Sequence, residues 1–253
     1  MKSKIPSLIA AASLSSGIAG SAGAQDPGHR EIADLVPVEA IDLFVPNGFD
    51  SNDEIVVVID GYLPNSCYRL TRPELSVDHD KHEIKITQMA RKFPGPCLVP
   101  LVPFTNIVQI GALEQGTYRV TTNKGLLAAT LGVAEDTSSG NYGPDDFLYA
   151  PVDSVSVSKN TDGRYEARLA GRFTNDCMEF DEVRVLHKGR VIELLPILKD
   201  HATDSTCQPV EKAFTKKVLM PVELSAGRNL VHIRSLNGAS VNSVFSVSPS
   251  FQP

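Results

Sequence analysis

The 253 residues contain no tryptophan, few aromatic side chains (6%), only four cysteines and six histidines. Without tryptophan the chain lacks the buried indole that antibody-type sandwiches pack against their inter-sheet disulfide. Beyond residue 24 no apolar run is long enough to span a bilayer. Nor is there a Gly-x-Ser-x-Gly elbow, a His-Glu-x-x-His pair, a Cys-x-x-Cys pair or a phosphate-binding glycine loop. The expectation is therefore a protein with no catalytic residues, no cofactor and no transmembrane segment. Basic charge is also short, with 24 Lys and Arg against 30 Asp and Glu. Phosphate backbones need a basic face, so nucleic acid is not expected as a partner.

Apolar residues make up 42% and charged residues 21%, ordinary proportions for a globular chain with real cores. The first 24 residues differ. Lys2 and Lys4 precede the mostly apolar or small stretch Ile5 to Ile18, and Ala22-Gly23-Ala24 ends it in the pattern a signal peptidase cleaves. Residues 1–24 are read as a signal peptide and residues 25–34 as a polar arm. The predicted compartment is extracytoplasmic, periplasmic or secreted.

An internal repeat organises the rest. Cys67 and Cys97 are 30 positions apart, as are Cys177 and Cys207, and the two pairs are displaced by 110. At that displacement Gly61, Asn65 and Phe104-Thr105 fall on Gly171, Asn175 and Phe214-Thr215. At a displacement of 114, Val36-Pro37-Val38-Glu39 resembles Ala150-Pro151-Val152-Asp153, which would leave four extra residues in the first copy. Within each copy, short runs rich in Val, Ile, Thr, Phe and Tyr alternate with polar residues at period two between turn formers. Seven strands are expected per copy: 38–45, 54–63, 68–77, 83–91, 104–110, 117–122 and 126–133, then 152–158, 165–173, 178–187, 191–198, 214–222, 229–234 and 240–247. Asn123-Lys124-Gly125 and Asn237-Gly238 supply turn residues that tolerate positive φ.

The fold class is thus all-β: two tandem immunoglobulin-like β-sandwiches of about seven strands, at 35–134 and 148–253. A polar, acidic stretch at 135–147 reads as a linker, and it leaves the angle between the sandwiches open. Four cysteines allow three pairings. Cys67 with Cys97 and Cys177 with Cys207 is expected, because each bond then closes within one repeat. An up-and-down strand path would bring each pair to one pole of its sandwich.

The stretch Gly61-Tyr62-Leu63-Pro64-Asn65-Ser66-Cys67-Tyr68, with Cys97, Pro103-Phe104 and Leu113-Glu114-Gln115-Gly116-Thr117-Tyr118-Arg119-Val120, resembles immunoglobulin-like modules of exported bacterial proteins. Such modules are spacers or binding domains with no common activity, so the resemblance implies fold and compartment rather than function.

Two sites suggest themselves. Asp78, His79, Asp80 and His82 offer zinc or copper ligand types in one turn, although a solvated charged turn is the simpler reading and the second copy lacks the cluster. Arg91, Lys92 and Phe93 open a loop held by Cys97, and loops on rigid scaffolds often carry recognition; Phe93 either faces a protein partner or packs over the disulfide. The corresponding loop of the second copy is 199–204. His232 reads as an outward strand position, and Phe104 and Phe214 as core. The leading function is an exported, non-catalytic module that binds an unknown protein or acts as a spacer. The alternative is a small-ligand or metal carrier, or a hydrolase accessory, with its site between the sandwiches. Acidic groups and histidines lining a pocket at the junction would favour the carrier; an exposed apolar patch or free strand edge would favour protein binding. Oligomeric state is not encoded in these patterns.

Overall fold

The computed structural model describes residues 33–136, 147–199 and 206–248. The stretch read as a signal peptide, most of the segments read as arm and linker, and residues 200–204 lie outside the described residues. The described residues fall in one compact unit.

The first half contains β1 (Asp34–Pro37), β2 (Ala40–Phe44), β3 (Phe49–Asp50), β4 (Ile55–Leu63), β5 (Tyr68–Leu70), β6 (Glu74–Asp78), β7 (Glu83–Thr87), β8 (Met89–Lys92), β9 (Val102–Gly111), β10 (Gly116–Thr122) and β11 (Leu127–Ala134). The second contains β12 (Val152–Lys159), β13 (Tyr165–Phe173), β14 (Phe180–Lys188), β15 (Val191–Leu198), β16 (Lys212–Leu219), β17 (Gly227–Ser235) and β18 (Ala239–Val247). In both halves the alternation that predicts strands is what buries one face of each. Val57 and Ile59 of β4 meet Ile84 of β7, Val120 of β10 and Leu131 of β11 in the first core; Leu169 of β13 meets Ile192 and Leu194 of β15 and Val231 of β17 in the second.

Strand order repeats as well. One sheet runs β2-β4-β9 in the first half and β12-β13-β16 in the second; the facing sheet runs β6-β7-β10-β11 and β14-β15-β17-β18, with β3 added beyond β11. Each facing sheet has a parallel pair at the same place, β7 with β10 and β15 with β17, and the added β3 is also parallel to β11. The path is therefore not up-and-down, because parallel neighbours require a crossover through the other sheet. In the immunoglobulin arrangement the third strand lies beside the sixth, whereas here the fourth does. The all-β sandwich class holds, with its own strand order.

Local departures have local causes. The run expected at 68–77 divides into β5 and β6 at Thr71-Arg72-Pro73, where proline has no N–H to give the ladder. The run 83–91 divides at Gln88, whose buried amide donates to the carbonyls of Thr71 and Met89. β8 thereby joins a separate small sheet, β1-β8-β5.

The register also corrects the alignment of the two starts. Ala40 pairs with Gly61 and Val152 with Gly171, each followed by a one-residue bulge at Ile41 and Asp153. Ala40 is thus the counterpart of Val152, a displacement of 112 rather than 114. The glycines explain why this point is shared. Gly61 lies across from Phe104 and Gly171 across from Phe214, and each phenylalanine ring covers its glycine where a Cβ would stand.

Candidate functional site

Two regions gather chemistry: the disulfide pole of the first half, and the junction between the halves.

At the pole, Cys67 in the β4–β5 turn is bonded to Cys97 in the β8–β9 loop, with Cα atoms 5.4 Å apart. The turn is built by Asn65, whose Oδ1 accepts the Cys67 N–H at 2.9 Å, an Asx turn. The loop is tied at both ends. Phe93 N–H donates to the Cys67 carbonyl (2.9 Å), Leu98 N–H donates to Ser66 Oγ (2.8 Å), and Ser66 N–H donates to the Leu98 carbonyl (3.2 Å). The second half uses the same clasp. Cys177 is bonded to Cys207, Asn175 Oδ1 accepts from Cys177 N–H, and Asp176 and Gln208 exchange hydrogen bonds as Ser66 and Leu98 do.

The two clasps differ in what they hold. Along the first loop Leu98 is 73%, Val99 85% and Leu101 62% exposed, and Phe93 is exposed as well. Phe93 is held by its backbone and is 41% exposed, so it is not fully buried over the disulfide. Arg91 and Lys92 are not part of the loop. They belong to β8, where Arg91 pairs with Leu35 and Arg69, and Lys92 with Asp34 and Tyr68, because the ladder with β1 continues to the end of the strand. Arg91 and Arg69 are direct cross-strand neighbours, an unfavourable like-charge pairing.

The metal turn does not converge. Asp78 accepts the Lys81 N–H (3.0 Å) and pairs with Lys81 Nζ at 2.6 Å, and these hydrogen bonds lower its pKa. His82 turns away and stacks on the Tyr118 ring at 4.7 Å, in the space left by Gly116, whose Cβ would meet the imidazole. Asp78, His79, Asp80 and His82 thus form no group of three close ligand atoms. Among the described residues such a group occurs at Asp176, Cys177 and Cys207, where both sulfurs are already spent on the disulfide.

The junction is a packed polar interface. Phe44 and Val58 on the outer face of β2 and β4 meet Val191 and Leu230 on the outer face of β15 and β17. Around them Asp60 takes a two-pronged contact from Arg228 (2.5 and 2.8 Å), Asp42 pairs with Arg190 (2.6 Å) and Asp53 with Arg234 (3.0 Å). Arg234 also donates to the Gly48 carbonyl. Glu193 accepts from the Asn47 N–H at 2.5 Å. Burial raises the pKa of Glu193, and likewise of Asp53 against the pull of Arg234.

His232 points outward from its own sandwich, as its strand position implies, yet it is 1% exposed because the first half covers it. Its Nδ1 meets Asn242 Oδ1 at 2.8 Å and Phe49 stands edge-on to the ring. Burial lowers its pKa to about 4. The space beside it, lined by Phe49, Asp53 and Arg234, is about 10 Å³, the least that one water needs. No sequence signal marked this region beyond the β-branched and leucine content on both faces of β15, since burial of a second face depends on what packs there.

A model of the ORF11 β-sandwich domain matches residues 57–132, from β4 into β11. No curated protein and no solved structure matches the chain. Among the described residues no helix is long and apolar enough to cross a membrane.

Proposed function

We propose that this chain is an exported, non-catalytic protein of two duplicated, immunoglobulin-like sandwiches, and that it binds another protein through the disulfide pole of its first half. The observation that carries this reading is the apolar loop Leu98-Val99-Pro100-Leu101, exposed yet tethered by a disulfide and by three backbone-anchored hydrogen bonds. Exposed apolar side chains cost solubility, and contiguous ones mark interaction sites. Holding them on a pinned loop lowers the entropy lost on binding. Extracytoplasmic placement is supported by the two disulfides, which persist in oxidising compartments, and by the N-terminal 24 residues. The resemblance to immunoglobulin-like modules lies in sandwich architecture and tandem repetition, not in strand order.

A photo-crosslinking side chain placed at Leu98, in the full chain expressed in its own host, tests the reading. The expected result is a discrete protein adduct that is lost with Val99→Ser and Leu101→Ser while the melting temperature is unchanged. A crosslinker at Leu126, equally exposed but far along the chain, serves as control. Equal yields from the two positions would reject the pole as the binding site.

A further inference from the structure

β9 is an edge of the β2-β4-β9 sheet, and among the described residues its outward backbone groups meet no other strand. Its ten residues, Val-Pro-Phe-Thr-Asn-Ile-Val-Gln-Ile-Gly, include no charge. The counterpart edge in the second half, β16, carries Lys212, Lys216 and Lys217, the usual defence against strand pairing. Two strands in the same place of the same topology thus differ in charge: β16 is blunted by lysines along its length, whereas the proline and the bulge of β9, at Pro103 and Ile110, lie near its ends and leave Phe104 to Gln109 open.

Beside the open edge lies a groove of about 660 Å³, walled by Leu70, Arg72 and Leu75 on one side and by Ile107 and Gln109 of β9 on the other. Leu75 is 39% and Ile107 45% exposed. The back of the groove is fixed by Gln88, which accepts from Asn106 Nδ2 at 2.7 Å and donates to the Thr71 carbonyl at 2.9 Å. No carboxylate lines the groove, and among the described residues Arg72 makes no ion pair.

We propose that β9 accepts an extended, acidic peptide segment of another protein as an added strand. This rests on the partner-binding reading above and places a second part of that interface next to the apolar loop. Main-chain hydrogen bonds along β9 give affinity, and alternate side chains of the added strand enter the groove between Leu75 and Ile107. A carboxylate on that strand meets Arg72. Charge decides between an acidic peptide and a second copy of this chain: two β9 edges paired with each other would bring no acid to either Arg72.

The test is a phage-displayed library of random dodecapeptides selected on the full chain with disulfides intact. The expected sequences combine an Asp or Glu with alternating β-branched or aromatic residues. A synthesised winner slows hydrogen exchange of amides within 102–111. Arg72→Gln weakens its binding about tenfold, and Ile107→Lys abolishes it, with melting temperatures unchanged. Winners that lack carboxylates, an empty selection, or a dimer in sedimentation whose β9 amides are protected without peptide would each overturn the proposal. Winners that shield 93–101 instead would overturn the edge and leave the pole reading standing, whereas failure of the Leu98 adduct with β9 protection intact would do the reverse.

Discussion

His232 shows how one residue takes its character from its surroundings. Its ladder partner across the parallel pair is Glu193, Arg234 repels its charge from the same strand, and Phe49 closes the space in front of it. With a pKa lowered to about 4 from an ordinary 6.5, the folded protein binds fewer protons than the unfolded chain between those values. Stability from this group is complete above about pH 6.5 and is lost as the pH falls toward 4, by roughly 3 kcal/mol in all. Glu193 and Asp53 act with the opposite sign. Their raised values favour the folded state on protonation, so they offset part of the loss at the acid end. Thermal unfolding followed from pH 7 to pH 4 should show a falling midpoint in the native protein and a shallower fall in His232→Gln. Equal slopes would mean that the imidazole titrates at the same pH in the folded and unfolded chain.

The glycine–phenylalanine contact belongs to the scale of elements. It joins the second and fifth strands of each sandwich just before the disulfide turn, so the sequence motif and the clasp are one structural unit. At Gly171 a Cβ would collide with the Pro151 carbonyl as well as the Phe214 ring, whereas at Gly61 the nearest backbone atom, the Glu39 carbonyl oxygen, is 3.0 Å away. Backbone gives way less readily than a ring. Gly171→Ala should therefore cost about 3 kcal/mol and Gly61→Ala nearer 1 to 2 kcal/mol, the range for overpacked cores, as read from urea unfolding midpoints. A larger loss at Gly61 would contradict the register given for β12 and β13. The strands themselves were legible, since nearly every expected run holds one. The divisions at Pro73 and Gln88 were not equally so: proline is a visible break, but the role of Gln88 depends on Thr71 and Asn106 lying close in space.

At the scale of the molecule, three Asp–Arg pairs and an apolar cluster bind the outer face of one sandwich to the outer face of the other. Phe44, Val58, Val191 and Leu230 are each at most 7% exposed, and a fully buried side chain of this size contributes about 1.5 to 3 kcal/mol. The carboxylates come from the first half and the guanidinium groups from the second, so the contact is complementary in charge as well as in shape. Such an interface couples the halves. Calorimetry should record one unfolding transition for the native chain and two for Leu230→Asp, which places an unpaired charge in the apolar centre. Two transitions in the native protein would show that the junction contributes little. The space at the junction beside His232, about 10 Å³, is far below what a small ligand fills.

Alternation, turn residues and equal cysteine spacing by themselves determined the all-β class, the approximate strands and the disulfide pairing, because each depends on contacts between residues that recur at regular intervals along the chain. Charge along β9 and β16 was also readable, but not its meaning, since an edge exists only once the order of strands is known. Only the tertiary structure decided that β4, β15 and β17 are covered on both faces, that His232 is buried, that the histidine turn disperses its ligands, and that the pole loop stands in solvent. A period-two pattern tells which way a side chain points from its sheet; whether water or protein waits there depends on a surface contributed by residues more than a hundred positions away.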